Sequence, residues 1–357
     1  MLEDIHQTPE ALKNLLNSHI DETNRVFGIN LPAIPSDTDN IYIIASGSSR
    51  NAALMAKYFI EKIAKIPIIV DYSGEFAHRG FIINKKDLFI TISQSGETAD
   101  VISAIKRAGK VASFAITNNP DSQINKLSRS GMFVHAGKEA AIPATKSYTC
   151  QIMSLYLLGL SLAQSRNSLS GKQISSIVET LKRVPDVIAA NMQLLHEQTV
   201  ECAKKLKDYN NLLIIGRGQN YALAEECSLK IQETSYINAF GYPTGEFMHG
   251  HLAVCDENNP VLSIITRAFD NSESYELALN NTREIKQKRN PFMAAIGHNS
   301  AHGKDFADVF VEVPEMGEIT TPFLTMIAIQ LLTYQMAALL GRDTLHPRGL
   351  TKTVLSE

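Results

Sequence analysis

The sequence predicts an α/β protein made of two tandem copies of one unit, each a parallel sheet flanked by helices. Three observations carry this. Short apolar runs alternate with stretches of helical spacing, the pattern of buried strands joined by crossover helices. The same order of runs occurs twice, at an offset of about 170 to 180 residues. In the first copy a strand passes into a helix through a hydroxyl-rich turn, Ser93-Gln94-Ser95-Gly96-Glu97-Thr98.

Residues 1–40 read as an N-terminal helical arm (9–27) followed by the Pro-containing linker Leu31-Pro32-Ala33-Ile34-Pro35. The first copy covers 41–169. It opens with the strand Ile41-Tyr42-Ile43-Ile44-Ala45, the turn Ser46-Gly47-Ser48-Ser49 and a helix over 51–63. Strands follow at 67–70 and 87–92, and the stretch 99–108 carries Val101, Ile102 and Ile105 at helical spacing. Strands at 113–117 and 132–134 and a helix over 147–163 complete it. A helical linker, 170–208, leads to the second copy, 209–341. There 212–218 answers 42–48, 262–266 answers 89–93, and Phe292 and Val309 open the counterparts of the strands at Phe114 and Phe133. Thr320-Thr321-Pro322 and its long helix answer Ala144-Thr145-Lys146 and the helix after it, leaving 342–357 as a C-terminal tail.

A chain of 357 residues suits roughly two domains. Its 44% hydrophobic and 20% charged residues are those of an ordinary globular protein. A net charge of -3 with no basic run gives no nucleic-acid surface, so the expected ligand is small. The four cysteines are too far apart for a CxxC pair, which fits a reducing, cytoplasmic setting. The start, Met1-Leu2-Glu3-Asp4, lacks the apolar core of a signal peptide. The uncharged run 322–341 is long enough to span a bilayer, but Thr325, Gln330, Thr333, Tyr334 and Gln335 interrupt it. It reads as a buried core helix, and no membrane partner is expected.

A helix start presents unpaired N–H groups and the positive end of its dipole, so a turn holding Ser93, Ser95 and Thr98 can surround a phosphate with neutral donors. The plainer alternative is an ordinary cap. The second copy has Thr266-Arg267-Ala268-Phe269-Asp270 at this place, so only the first suits a phosphate. The second carries titratable groups instead. Lys230 and Glu233 share one helix face, as a surface ion pair or as a working pair. Downstream, Gly241-Tyr242-Pro243-Thr244-Gly245-Glu246-Phe247-Met248-His249-Gly250-His251 reads as a glycine-punctuated loop presenting two histidines suited to proton transfer. No HxxxH or HExxH spacing points to a metal. Lys352 stands in the tail as either a Schiff-base amine or part of a frayed end. A phosphate turn, a Lys/Glu pair, a loop histidine and an amine together suit enolisation of an open-chain sugar phosphate.

With these motifs the chain resembles the double sugar-isomerase (SIS) domain proteins, and among them the isomerase half of the glucosamine-6-phosphate synthases. The likeness rests on Ser93-Gln94-Ser95-Gly96-Glu97-Thr98-Ala99-Asp100, Gly216-Arg217-Gly218, Leu229-Lys230-x-x-Glu233-x-Ser235-Tyr236, Gly245-Glu246-x-x-His249-Gly250 and Pro347-Arg348-x-Leu350-x-Lys352, in that order. It implies interconversion of fructose 6-phosphate plus ammonia and glucosamine 6-phosphate without a cofactor. Ser93, Gln94, Ser95 and Thr98 would hold the phosphate, with Ser49 beside the sugar hydroxyls. Glu233 would move the C1/C2 proton with Lys230 assisting, His249 would open the ring from the neighbouring copy of a homodimer, and Lys352 would form the Schiff base. Two departures stand out. The synthases begin with a glutaminase domain, whereas this chain starts directly with the isomerase part, so a longer chain or a separate glutaminase would supply ammonia. Ala144 replaces a substrate-touching serine, as in the related glucosamine-6-phosphate deaminases. Deamination of glucosamine 6-phosphate, deglycation of a fructosamine 6-phosphate and non-catalytic sensing are therefore the alternatives.

Overall fold

The computed structural model describes residues 1–29, 38–109, 111–269 and 273–354. The linker at 31–35 lies outside them. Two compact units emerge: an N-terminal one (7–139, 146–183 and 351 onward) and a C-terminal one (1–6, 140–145 and 184–350).

The chain opens with α1 (Leu2–His6) and α2 (Thr8–His19). The expected arm helix to residue 27 stops at His19, because the Asp21 carboxylate takes the N–H groups of Thr23 and Arg25 and Asn24 adopts positive φ (59°). The chain turns back there, with an antiparallel bridge from Ile20 to Val26. Next come β1 (Ile41–Ala45), α3 (Gly47–Ala64), β2 (Ile68–Tyr72), α4 (Ser73–His78), β3 (Leu88–Ser93), α5 (Ala99–Ala108), β4 (Ala112–Thr117), α6 (Gln123–Leu127) and β5 (Ser130–Phe133). The strands form one parallel sheet in the order β2-β1-β3-β4-β5. All six residues of β3 are buried, as a central strand covered on both faces requires. Ile44, Phe89 and Ala115 of the sheet pack on Phe76, Val101 and Ile124 on one face. On another side of this unit α7 (Lys146–Ser165) packs along α3, with Phe59 and Tyr156 stacked at 4.0 Å.

One helix, α8 (Gly171–Leu206), runs through Pro185. It is followed by β6 (Asn211–Gly216), α9 (Gln219–Ser235), β7 (Asn238–Pro243), α10 (Thr244–Phe247), a 3-10 turn (His251–Val254), β8 (Val261–Ile265), α11 (Ser274–Arg289), β9 (Met293–Gly297), α12 (Ser300–Gly303), β10 (Val309–Glu312) and α13 (Gly317–Leu339). These strands make a second parallel sheet, β7-β6-β8-β9-β10, in the order of the first. The glycine-punctuated loop is a correction. Residues 241–243 belong to edge strand β7, where Pro243 has no further neighbour to deprive of a hydrogen bond. Gly241 serves close packing rather than flexibility, since a Cβ there would lie 2.9 Å from the backbone of Ala224 and Glu225 in α9. Helix α13 is long and apolar enough to cross a membrane, yet 83% of its most apolar stretch is buried inside the structure. Its Gln330 donates to the Thr145 carbonyl (3.1 Å), as a core helix in protein does.

Candidate active site

In an open parallel sheet, ligands bind beyond the carboxyl ends of the strands where strand order reverses. In the N-terminal unit that point lies between β1 and β3, so the start of α3, where the expected turn 46–49 is already helical from Gly47, and the turn 93–98 flank it. Ser93 is buried. Its Oγ lies 2.9 Å from Thr98 Oγ1 and accepts the Gly96 N–H (3.1 Å), while Ser95 Oγ accepts the Glu97 N–H (3.2 Å). A hydroxyl donates one proton, so among the described residues one O–H of the Ser93–Thr98 pair and the O–H of Ser95 remain for a ligand. Thr98 precedes α5 but makes no side-chain cap bond, which leaves the plain capping alternative without its hydrogen bond.

The turn is held rigidly from outside. Gln94 O accepts from the Asn118 N–H (3.1 Å), Gly96 O from the Ile124 N–H (3.0 Å) and Glu97 Oε1 from the Gln123 N–H (2.9 Å). Gly96 sits at φ +69°, and a Cβ there would lie 2.2 Å from Ser122 Oγ. Ser49 lies half-buried in the first turn of α3, and Gln94 is half-buried too.

The tail from Thr351 belongs to this same unit. Val354 O accepts the Ala99 N–H (3.2 Å) at the start of α5. Lys352 Nζ lies 2.7 Å from Glu139 Oε2, whose carboxylate is fully buried and also accepts the Ser147 N–H (3.1 Å) and Oγ–H (2.6 Å). Through Val354 the tail is docked rather than frayed; residues 355–357 lie outside the described ones.

In the C-terminal unit α9 places Lys230 and Glu233 on one face, but not as a surface pair. The Lys230 side chain is 1% exposed, bonded to Glu233 Oε2 and 3.7 Å from the equally buried Glu226 Oε1. Two carboxylates therefore share one ammonium, and Glu233, 21% exposed, is the one that meets solvent. It borders a cleft of about 510 Å³ lined also by Gln232, Tyr236, Phe240, Arg348 and Leu350. Tyr236 ends α9 at φ 61°, its hydroxyl accepts the Arg348 N–H (2.9 Å), and the Arg348 guanidinium lies 4.1 Å from its ring centre. His249 is exposed in the turn after α10 and, among the described residues, is not part of that lining. His251 packs on Tyr242 at 4.3 Å. Ala144 is half-buried just before α7.

The equivalent switch point of this unit is filled by protein. Asn220 Nδ2 donates to Thr266 O (2.7 Å), Thr266 Oγ1 donates to Asn220 Oδ1 (2.9 Å), and Gln219 Oε1 accepts the Phe269 N–H (2.9 Å). The two copies thus differ physically where their sequences do; Asp270 lies outside the described residues. Glu226 and Glu139 were not anticipated. Glu226 stands four before Lys230, a legible helical spacing, whereas Glu139 reaches Lys352 across 213 residues with no local signal. All four cysteines are buried and free, and burial pushes Cys202 up to about 12 and Cys255 up to about 11.

The SIS domain family matches residues 36–161 and 205–340. The glutamine–fructose-6-phosphate aminotransferase (isomerizing) of Caldanaerobacter subterraneus subsp. tengcongensis is 35% identical over 100% of this chain and 59% of its own length. That of Pseudomonas putida is 33% identical over 100% of this chain and 59% of its own length. The chain thus spans less than two thirds of these relatives. Among solved structures, the C-terminal domain of glucosamine-fructose-6-phosphate aminotransferase from Francisella tularensis superposes with TM-score 0.90 at 30% identity, covering 97% of this chain and 98% of that one. Glucosamine-6-phosphate deaminase from Thermotoga maritima shares the fold at TM-score 0.73 and 23% identity, covering 99% and 98%.

Proposed function

This chain belongs to the SIS domain family, and on that footing we propose that it interconverts fructose 6-phosphate plus ammonia with glucosamine 6-phosphate. The observation that carries the reading is the rigid turn 93–98, which offers neutral donors and a helix start to a phosphate at the switch point. In this reading Ser93, Gln94, Ser95 and Thr98 hold the phosphate, Ser49 meets the sugar hydroxyls and Ala144 forms part of the substrate wall. His249, exposed on its turn, opens the ring for the neighbouring copy of a cytoplasmic homodimer. Lys352 forms an imine with the open ketose. The ketose oxygen leaves as water when the imine forms, and ammonia then displaces Lys352 from C2 so that the C2–Nζ bond breaks. Glu233, assisted by Lys230, takes the C1 proton and returns it at C2, leaving C1 as the aldehyde.

The test is to incubate purified protein with fructose 6-phosphate and an ammonium salt, and separately with glucosamine 6-phosphate, and to assay the amino sugar and ammonia formed. Turnover is expected, with Glu233→Gln lowering kcat by about 10² to 10⁴ while substrate still binds. Binding without turnover in either direction contradicts the reading and leaves a sensor. One observation favours a second reading, deamination: the alanine at position 144. Ammonia release much faster than synthesis supports it.

A further inference from the structure

The ion pair between Lys352 and Glu139 joins the tail amine to a carboxylate that the reaction as proposed leaves without a task. Lys352 is part-exposed (29%), while the Glu139 side chain is fully buried and held at both oxygens by Ser147. Titratable groups nearby include Lys138, its chain neighbour, the Cys150 of α7, whose thiol is held protonated by burial and then by the Glu139 charge, and Lys146, whose ammonium donates to Gln7 Oε1 and to the Lys138 carbonyl, both at 2.7 Å. Lysine amines are almost fully protonated near neutral pH, and an ammonium has no lone pair with which to attack a carbonyl. A buried carboxylate 2.7 Å away, oriented by Ser147, is placed to take that proton.

We propose that Glu139 is a further catalytic residue, the proton acceptor and donor for imine formation at Lys352; this rests on the imine reading given above. The proton of the Lys352 ammonium passes to Glu139, freeing the lone pair. The nitrogen attacks C2 of open-chain fructose 6-phosphate, the C2–N bond forms, and a second amine proton moves to O2, giving the carbinolamine. Glu139 then returns its proton to the departing O2 hydroxyl, the C2–O2 bond breaks and water leaves. A protonated imine remains, paired with the Glu139 carboxylate, so protons and charge balance.

The experiment mixes the protein with fructose 6-phosphate for timed intervals, quenches with borohydride and quantifies the adduct on Lys352 by mass spectrometry across about pH 6.5 to 9. Internal proton transfer predicts a nearly flat rate in the wild type. Glu139→Gln is expected to slow adduct formation by about 10²-fold near neutral pH and to impose a rise of about tenfold per pH unit, with Glu139→Asp recovering part of the loss. A wild-type rate climbing tenfold per unit overturns the role of Glu139 without needing any variant to fold. So does Glu139→Gln matching the wild type in rate and profile. No adduct in the wild type overturns the imine reading itself, and this role with it.

Discussion

Gly96 carries two constraints at once: a left-handed φ that a side chain resists, and a contact distance to Ser122 that leaves no room for a methyl group. Gly96→Ala is therefore expected to destabilise the N-terminal unit by about 2 to 4 kcal/mol and to raise KM for the sugar phosphate more than about tenfold. A melting curve and KM equal to wild type contradict the rigid turn. The thiols give a pH prediction. Because burial raises Cys202 to about 12 and Cys255 to about 11, both stay protonated and unreactive to iodoacetamide at pH values well below these, and label only after unfolding. Rapid native labelling near pH 8 contradicts their burial. At this scale the sequence displayed what is local. Ser93, Ser95 and Thr98 fall within six residues, and Lys230 and Glu233 within one helical turn, whereas the Glu139–Lys352 pair exists only through the fold.

Elements were legible where an apolar pattern ran uninterrupted, as in β3, β8 and β9, whose residues are all buried. They were misread where a side chain or an edge decided the outcome. Asp21 ends α2 through a local turn, and β7 is an edge strand whose Gly241 and Pro243 mimic a loop. The tail is the informative case, since contacts such as Val354 to Ala99 and Lys352 to Glu139 are polar and contribute little core. Deleting residues 351–357 is expected to leave the melting temperature within about 4 °C of wild type while removing most turnover. Full activity in the truncated protein contradicts a working role for the tail.

Across the whole molecule, two sheets of one strand order come from a repeat visible in the sequence, and their divergence was visible too. The reason for the divergence was not. In one unit the switch point is lined by hydroxyls with protons to donate; in the other Asn220, Thr266 and Gln219 satisfy each other and the backbone. The central claim is that the hydroxyl-lined turn binds a phosphate so that the attached sugar is enolised. Deuterium incorporation at C1, followed by NMR in D₂O without ammonia, tests it with fructose 6-phosphate and fructose side by side. The account predicts incorporation into fructose 6-phosphate and none into fructose at equal concentration. No incorporation into the phosphate ester, or equal incorporation into both sugars, contradicts it.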